Sequence, residues 1–124
     1  MAINGNPTGI LLGLGLITVA TPGTPVLLSS GGASLTGAFG TTASPSPIVA
    51  TQIRVKALSS NAGLFYLCFK GGNKTVPLTV ALAVEPGRTE TLWIPGLSNN
   101  FKLQDYVADA DTAANSAYIV AVIV

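Results

Sequence analysis

A chain of 124 residues fits one domain and can bury roughly two-thirds of the surface its unfolded form exposes, so its core needs no disulfide or metal staple. Hydrophobic residues make up 48% of it but charged residues only 9%, against about 25% in ordinary soluble domains, and the formal net charge is +1. The lack of a basic cluster argues against nucleic acid as a partner, and the lack of any histidine excludes Ser-His-Asp and Cys-His catalysis, histidine metal sites and the commonest general base.

The chain opens on a neutral stretch, with no charged side chain before Arg54. Within it, Gly9 to Ala20 is the first predicted strand, and Pro25 to Ser29, after the Pro22-Gly23 turn, is the second. The apolar run Ile10 to Ala20 is too short to span a bilayer and is interrupted by Gly13 and Gly15. It also lacks the Lys or Arg that would precede the core of a secretion signal. From Gly31 to Pro47 small polar residues and breakers, ending in Ser44-Pro45-Ser46-Pro47, read as a long loop or an extended arm. A boundary is therefore expected near Pro47, between a neutral N-terminal segment 1–47 and a β-sandwich domain 48–124.

Beyond that boundary Ile48 to Ala57 alternates, with Val49, Thr51, Ile53 and Val55 on one face and Gln52, Arg54 and Lys56 on the other, the pattern of a half-buried strand. Ser59-Ser60-Asn61-Ala62-Gly63 turns the chain into Leu64 to Phe69, apolar on both faces and so central. Cys68 within it reads as a small buried hydrophobe; as the single cysteine it has no partner for an intrachain disulfide. Thr75 to Val84 follows, with Pro77 placing it at an edge or a bulge. Glu85-Pro86-Gly87-Arg88 has the proline and glycine of a type II turn. Thr89 to Ile94 alternates again and sets Trp93 apart from Leu92 and Ile94; Phe101 to Ala108 is a weaker strand, Asp109 to Ser116 a loop, and Ala117 to Val124 a terminal Ile/Val/Ala strand. The rhythm of short apolar runs and turns is that of an all-β sandwich or barrel of about seven or eight strands, with an extended N-terminal segment.

Few constellations could carry chemistry. Asp105, Asp109 and Asp111 are the one acidic cluster, but a calcium loop begun at Asp109 would have Ala113 and Ala114 at its fifth and sixth positions and Val120 where a bidentate Glu is needed. They remain weak calcium candidates beside the simpler reading of a solvated, turn-forming loop. Gly13-Leu14-Gly15 lacks the third glycine of a dinucleotide fingerprint, with Thr18 in its place. Asn73-Lys74-Thr75 matches a glycosylation sequon, a pattern that recurs by chance. No catalytic residue, cofactor site or firm metal site is expected, and no enzymatic activity. Trp93 is open to three readings: core packing, a protein interface, or a platform for a sugar.

So few charges leave a surface that packs against neighbours, because charge is what ordinarily keeps a monomer apart from its surroundings. The segment Ala2 to Pro47 is expected to supply much of that contact as an arm or as strands added to a neighbour's sheet, with Ile10, Leu11, Leu12, Leu14, Leu16, Ile17, Phe39 and Trp93 as interface candidates. The alternative is that Ile10 to Ser29 completes the sandwich of its own subunit.

Residues 48–124 resemble the small β-sandwich auxiliary capsid proteins of tailed bacteriophages, the decoration or cement proteins. The features are Ile53-Arg54-Val55-Lys56-Ala57 followed by Asn61-Ala62-Gly63 and an apolar strand, then Val84-Glu85-Pro86-Gly87 before an alternating strand, and the Ile/Val-rich end. The resemblance implies an antiparallel β-sandwich, jelly-roll-like, in a homotrimeric virion protein on the capsid surface, assembled in the host cytoplasm, that bridges major capsid protein subunits; nucleic acid and membrane are not expected partners. Two alternatives stand beside it: a glycan-binding module built on Trp93, Tyr106 and the acidic loop, and a tail or connector subunit.

Overall fold

A computed structural model describes residues 10–28, 49–93 and 101–123. Among them are nine strands: β1 (Ile10–Val19), β2 (Val26–Leu27), β3 (Val49–Ala57), β4 (Phe65–Phe69), β5 (Val80–Val84), β6 (Thr89–Leu92), β7 (Phe101–Lys102), β8 (Tyr106–Ala110) and β9 (Asn115–Ile123). They form two antiparallel sheets, one in the order β1-β9-β3-β6 with β7 also pairing β3, the other in the order β2-β8-β4-β5. With the two-residue β7 set aside, the eight remaining strands pair first with last, second with seventh, third with sixth and fourth with fifth. That nesting is a long hairpin rolled over itself, the jelly roll.

The core lies between the sheets. Leu14, Ile17 and Val19 of β1, Ile53, Val55 and Ala57 of β3, and Ala117, Ile119 and Ala121 of β9 face Phe65, Leu67, Val84, Ala108 and Ala110 of the other sheet. Leu14 and Ile17 therefore belong to the interior of this subunit, not to a contact with a neighbour. Strands β1 and β2 are parts of the two sheets, and the segment 29–47 lies outside the described residues. The expected contact residue Phe39 lies outside the described residues.

Several elements differ from their sequence reading for local reasons. In β3 the alternation fails at Thr51: a bulge between Ala50 and Gln52 inserts it as an extra residue, so Ala50 and not Thr51 is buried. The predicted strand Thr75 to Val84 begins as a 3-10 turn, Pro77–Thr79, because Pro77 has no N–H for a ladder and Thr79 Oγ1 instead engages Asn73 and Val76. Its remainder, β5, is a sheet edge, where the proline placed it. Phe101 to Ala108 is broken by a second 3-10 turn, Leu103–Asp105, across which the chain leaves one sheet for the other around the buried Leu103. Glu85 to Arg88 is the turn expected, closed by the Arg88 N–H donating to the Glu85 carbonyl at 3.0 Å with Gly87 at φ 78°.

The turn from β8 to β9 holds Ala114 at φ 68°, where its N–H donates to the Val19 carbonyl at 2.9 Å. A left-handed alanine is strained by its Cβ. Ala114→Gly is expected to stabilise the protein by roughly 0.5–1 kcal/mol, read as a raised midpoint in urea unfolding; a lowered midpoint would show that the methyl group is not the source of strain.

Candidate subunit interface

The acidic residues occupy three different environments. Alternation along β8 turns Tyr106, Ala108 and Ala110 into the core and Val107 and Asp109 outward. Asp109 is nonetheless fully buried, because two loops fold over it. Its Oδ1 accepts hydrogen bonds from the N–H groups of Gly23 and Ala110, both at 2.8 Å, and its Oδ2 accepts one from Lys74 at 3.0 Å. One carboxylate thus fastens the β1–β2 turn and the β4–β5 loop to the outside of the four-stranded sheet. The expected solvated loop from Asp109 to Ser116 is corrected accordingly: β8 runs to Ala110, β9 begins at Asn115, and the loop between them is four residues.

Asp111 accepts from the Leu64 N–H at 2.8 Å and the Tyr66 hydroxyl at 2.9 Å, with Lys74 Nζ 3.8 Å away. Partial burial pulls its pKa upward, but these donors and the Lys74 charge outweigh that and hold the carboxyl below its usual range. Burial, and then the bond to Asp111, push the Tyr66 hydroxyl up to about 12. Asn115 completes the strap: its amide exchanges two hydrogen bonds with the backbone of Ala62, while Asn61 does the same with Ser116. Asp105 is exposed on the second 3-10 turn. Among the described residues no three His, Cys, Asp or Glu side chains gather as a metal site would require, so the structure does not bring the three calcium candidates together.

Cys68 lies behind the same loops. Burial first, and the nearby Asp109 second, push its thiol up to about 11, so it is protonated at neutral pH and packs as a hydrophobe. The two aromatic residues of the glycan reading stand on different sheets. Tyr106 is 5% exposed and stacks at 5.5 Å on Phe69 in the four-stranded sheet, whereas Trp93 follows β6 in the other.

Among the described residues, no loop folds over the outer face of the five-stranded sheet as the two loops do over Asp109. Register aligns Leu16, Tyr118, Lys56 and Thr89 in one row across β1, β9, β3 and β6, and Gly13, Val120, Arg54 and Thr91 in the next. Leu16 is 43% exposed, Tyr118 49% and Trp93 54%. Trp93 follows Leu92, which packs on the core, and so alternation brings it to the outer face. Of the interface candidates, then, Leu16 and Trp93 lie on this face; Ile10, Leu11 and Leu12 are in β1, with their side chains outside the described part. Tyr118 was missed because Ala117 to Val124 is apolar throughout. Its one sequence signal is size: Ala117 and Ala121 are the small members of the inward set, while the larger Tyr118 alternates with them.

No family model, no characterised protein and no solved structure matches this chain. Among the described residues no helix is long and apolar enough to cross a membrane.

Asp109→Ala leaves the Gly23 and Lys74 N–H groups without their acceptor and is expected to cost about 3 kcal/mol in urea unfolding; a loss under about 1 kcal/mol would mean that water replaces the carboxylate. The Asp111 strap has its own pH signature. With the folded pKa below the unfolded value of about 3.9, its contribution is present above that value and disappears as pH falls through the folded pKa. Asp111→Asn is expected to flatten the acid limb of the stability curve, and identical acid limbs for the two proteins would refute the assignment. At the alkaline end Tyr66, raised from 10.0 to about 12, resists ionisation when folded, so its contribution is lost as pH climbs through that interval.

Proposed function

We propose that this chain is a virion structural protein that decorates and stabilises a phage capsid by bridging major capsid subunits, and that it does so without enzymatic activity. The observation that carries this reading is the contrast between the two sheets. On one sheet the protein's own loops fold over Asp109, with Leu27, Phe69 and Leu78 left exposed around them, whereas the other presents Leu16 and Tyr118 in one row, with Trp93 on the same face. Each of these side chains is already about half buried, so covering the rest against a neighbour contributes about half of the roughly 1.5–3 kcal/mol of a full burial, before the cost of association.

The neutral composition supports the same reading, since six Lys and Arg and five Asp and Glu in 124 residues leave a surface poorly suited to isolation. The jelly-roll strand order supports it further, an architecture that recurs in capsid subunits and also in lectins, so that the open face and not the fold carries the assignment. A shell protein of this kind acts by repetition: each copy adds a modest contact to two subunits at once, and parting the subunits breaks both. A homotrimer on the capsid surface, formed after assembly in the host cytoplasm, is the arrangement that goes with this proposal.

Virions purified from producing cells, with hydroxyl-radical footprinting of the free and particle-bound chain, test it. The chain is expected to co-sediment with capsids in fixed stoichiometry, with Leu16, Tyr118 and Trp93 protected several-fold on the particle. A chain that stays behind as a monomer, equally reactive at all three residues, would overturn the proposal.

A further inference from the structure

The open face is not neutral throughout. Arg54 and Lys56 stand two residues apart on β3, side by side with Val120 and Tyr118 of β9 and with Thr91 and Thr89 of β6. Both are exposed, and the one side-chain partner described for Arg54 is the amide oxygen of Gln52, at 3.3 and 3.4 Å. Among the described residues the ion pairs are Lys74 with Asp111 and Arg88 with Glu85, so no acid compensates either cation. The acid nearest in register on this sheet, Glu90, stands opposite Val55, whose side chain is in the core, and therefore on the other side of the sheet from Arg54 and Lys56.

Resting on the structural-subunit reading, we propose that this face docks onto an acidic patch of a protein partner, where two carboxylates spaced to match Arg54 and Lys56 lie among apolar side chains that cover Leu16, Tyr118 and Trp93. The spacing follows from β geometry: residues i and i+2 on one side of a strand are about 7 Å apart, the same interval that separates alternate side chains of an extended or sheet-forming partner. The chemistry follows from the mixture. Arg offers a planar fork and Lys a point charge to carboxylates, and the exposed aromatics supply area around them.

Two other occupants fit the charge less well. Anionic lipid surfaces are recognised by clusters of about 4–8 Lys and Arg, and nucleic acid by longer basic tracks, whereas the sheet supplies Arg54, Lys56 and, at its end, the exposed Lys102. A second copy placed face to face in register would set cation against cation, which electrostatic complementarity disfavours.

The test uses the full chain, isotopically labelled for NMR, and two synthetic peptides that alternate charged with apolar residues and differ in having Glu or Lys at the charged positions. The Glu peptide is expected to shift the signals of Arg54, Lys56, Tyr118 and Trp93, to bind about tenfold more tightly than the Lys peptide, and to weaken with added salt. Arg54→Glu combined with Lys56→Glu is expected to invert the preference, and the double Gln variant to abolish it; both positions are exposed, so folding is retained. Equal binding of the two peptides, or shifts confined to another surface, would overturn the proposal. So would adsorption to phosphatidylserine vesicles in the absence of peptide binding, which would assign the face to lipid. If particles protect Leu16 and Trp93 while the peptides show no charge preference, the acidic partner falls and the structural role stands.

Discussion

The sandwich is held closed by its last strand. Strand β9 lies between β1 and β3 and pairs with both over most of its length, so that the first and last described stretches of the chain depend on each other for their ladder hydrogen bonds. Its inward positions, Ala117, Ile119 and Ala121, are mostly small, which lets Leu14, Ile17, Ile53 and Val55 on either side fill the layer without crowding. Everything else hangs on this arrangement: the β8–β9 turn places Asp111 and Asn115, and these in turn tie down the 58–64 turn.

From that frame the two faces acquire different characters. On the four-stranded sheet, a carboxylate that sequence alternation sends toward solvent is instead roofed by backbone N–H donors from two loops, which converts a charged surface position into an internal fastener. On the five-stranded sheet no such roof is found among the described residues, and Leu16, Tyr118, Arg54 and Lys56 remain in adjoining rows. Among the described residues, that face keeps its exposed Leu16 and Tyr118 in one row across neighbouring strands.

Much of the fold was legible in the residues. The alternation of Ile53 to Ala57, the glycine and proline at Pro86-Gly87 and the double-sided apolarity of Phe65 to Cys68 each point to the element found. Misreadings arose where local geometry breaks the period of two. A bulge between Gly13 and Gly15, with Gly15 at φ 78°, puts Leu14 in the core and Leu16 on the surface although the two share parity. The pair of glycines was the available sign of it. The role of Asp109 was not legible at all, because it depends on donors 86 and 35 residues away in sequence. Of the contact surface, Trp93 could be singled out by its alternation with Leu92, whereas Tyr118 was hidden in a uniformly apolar strand.

The first-with-last nesting also governs the order of events in time. A strand whose partner lies so far along the chain has nowhere to dock until that partner has been made, so Ile10 to Val19, an uncharged apolar ribbon, must wait exposed while roughly a hundred further residues emerge. Long-range pairing of this kind makes folding slow. The glycines at its bulge, which interrupt the ladder and sharpen the local twist, make that waiting ribbon a poorer template for its counterparts on neighbouring nascent chains.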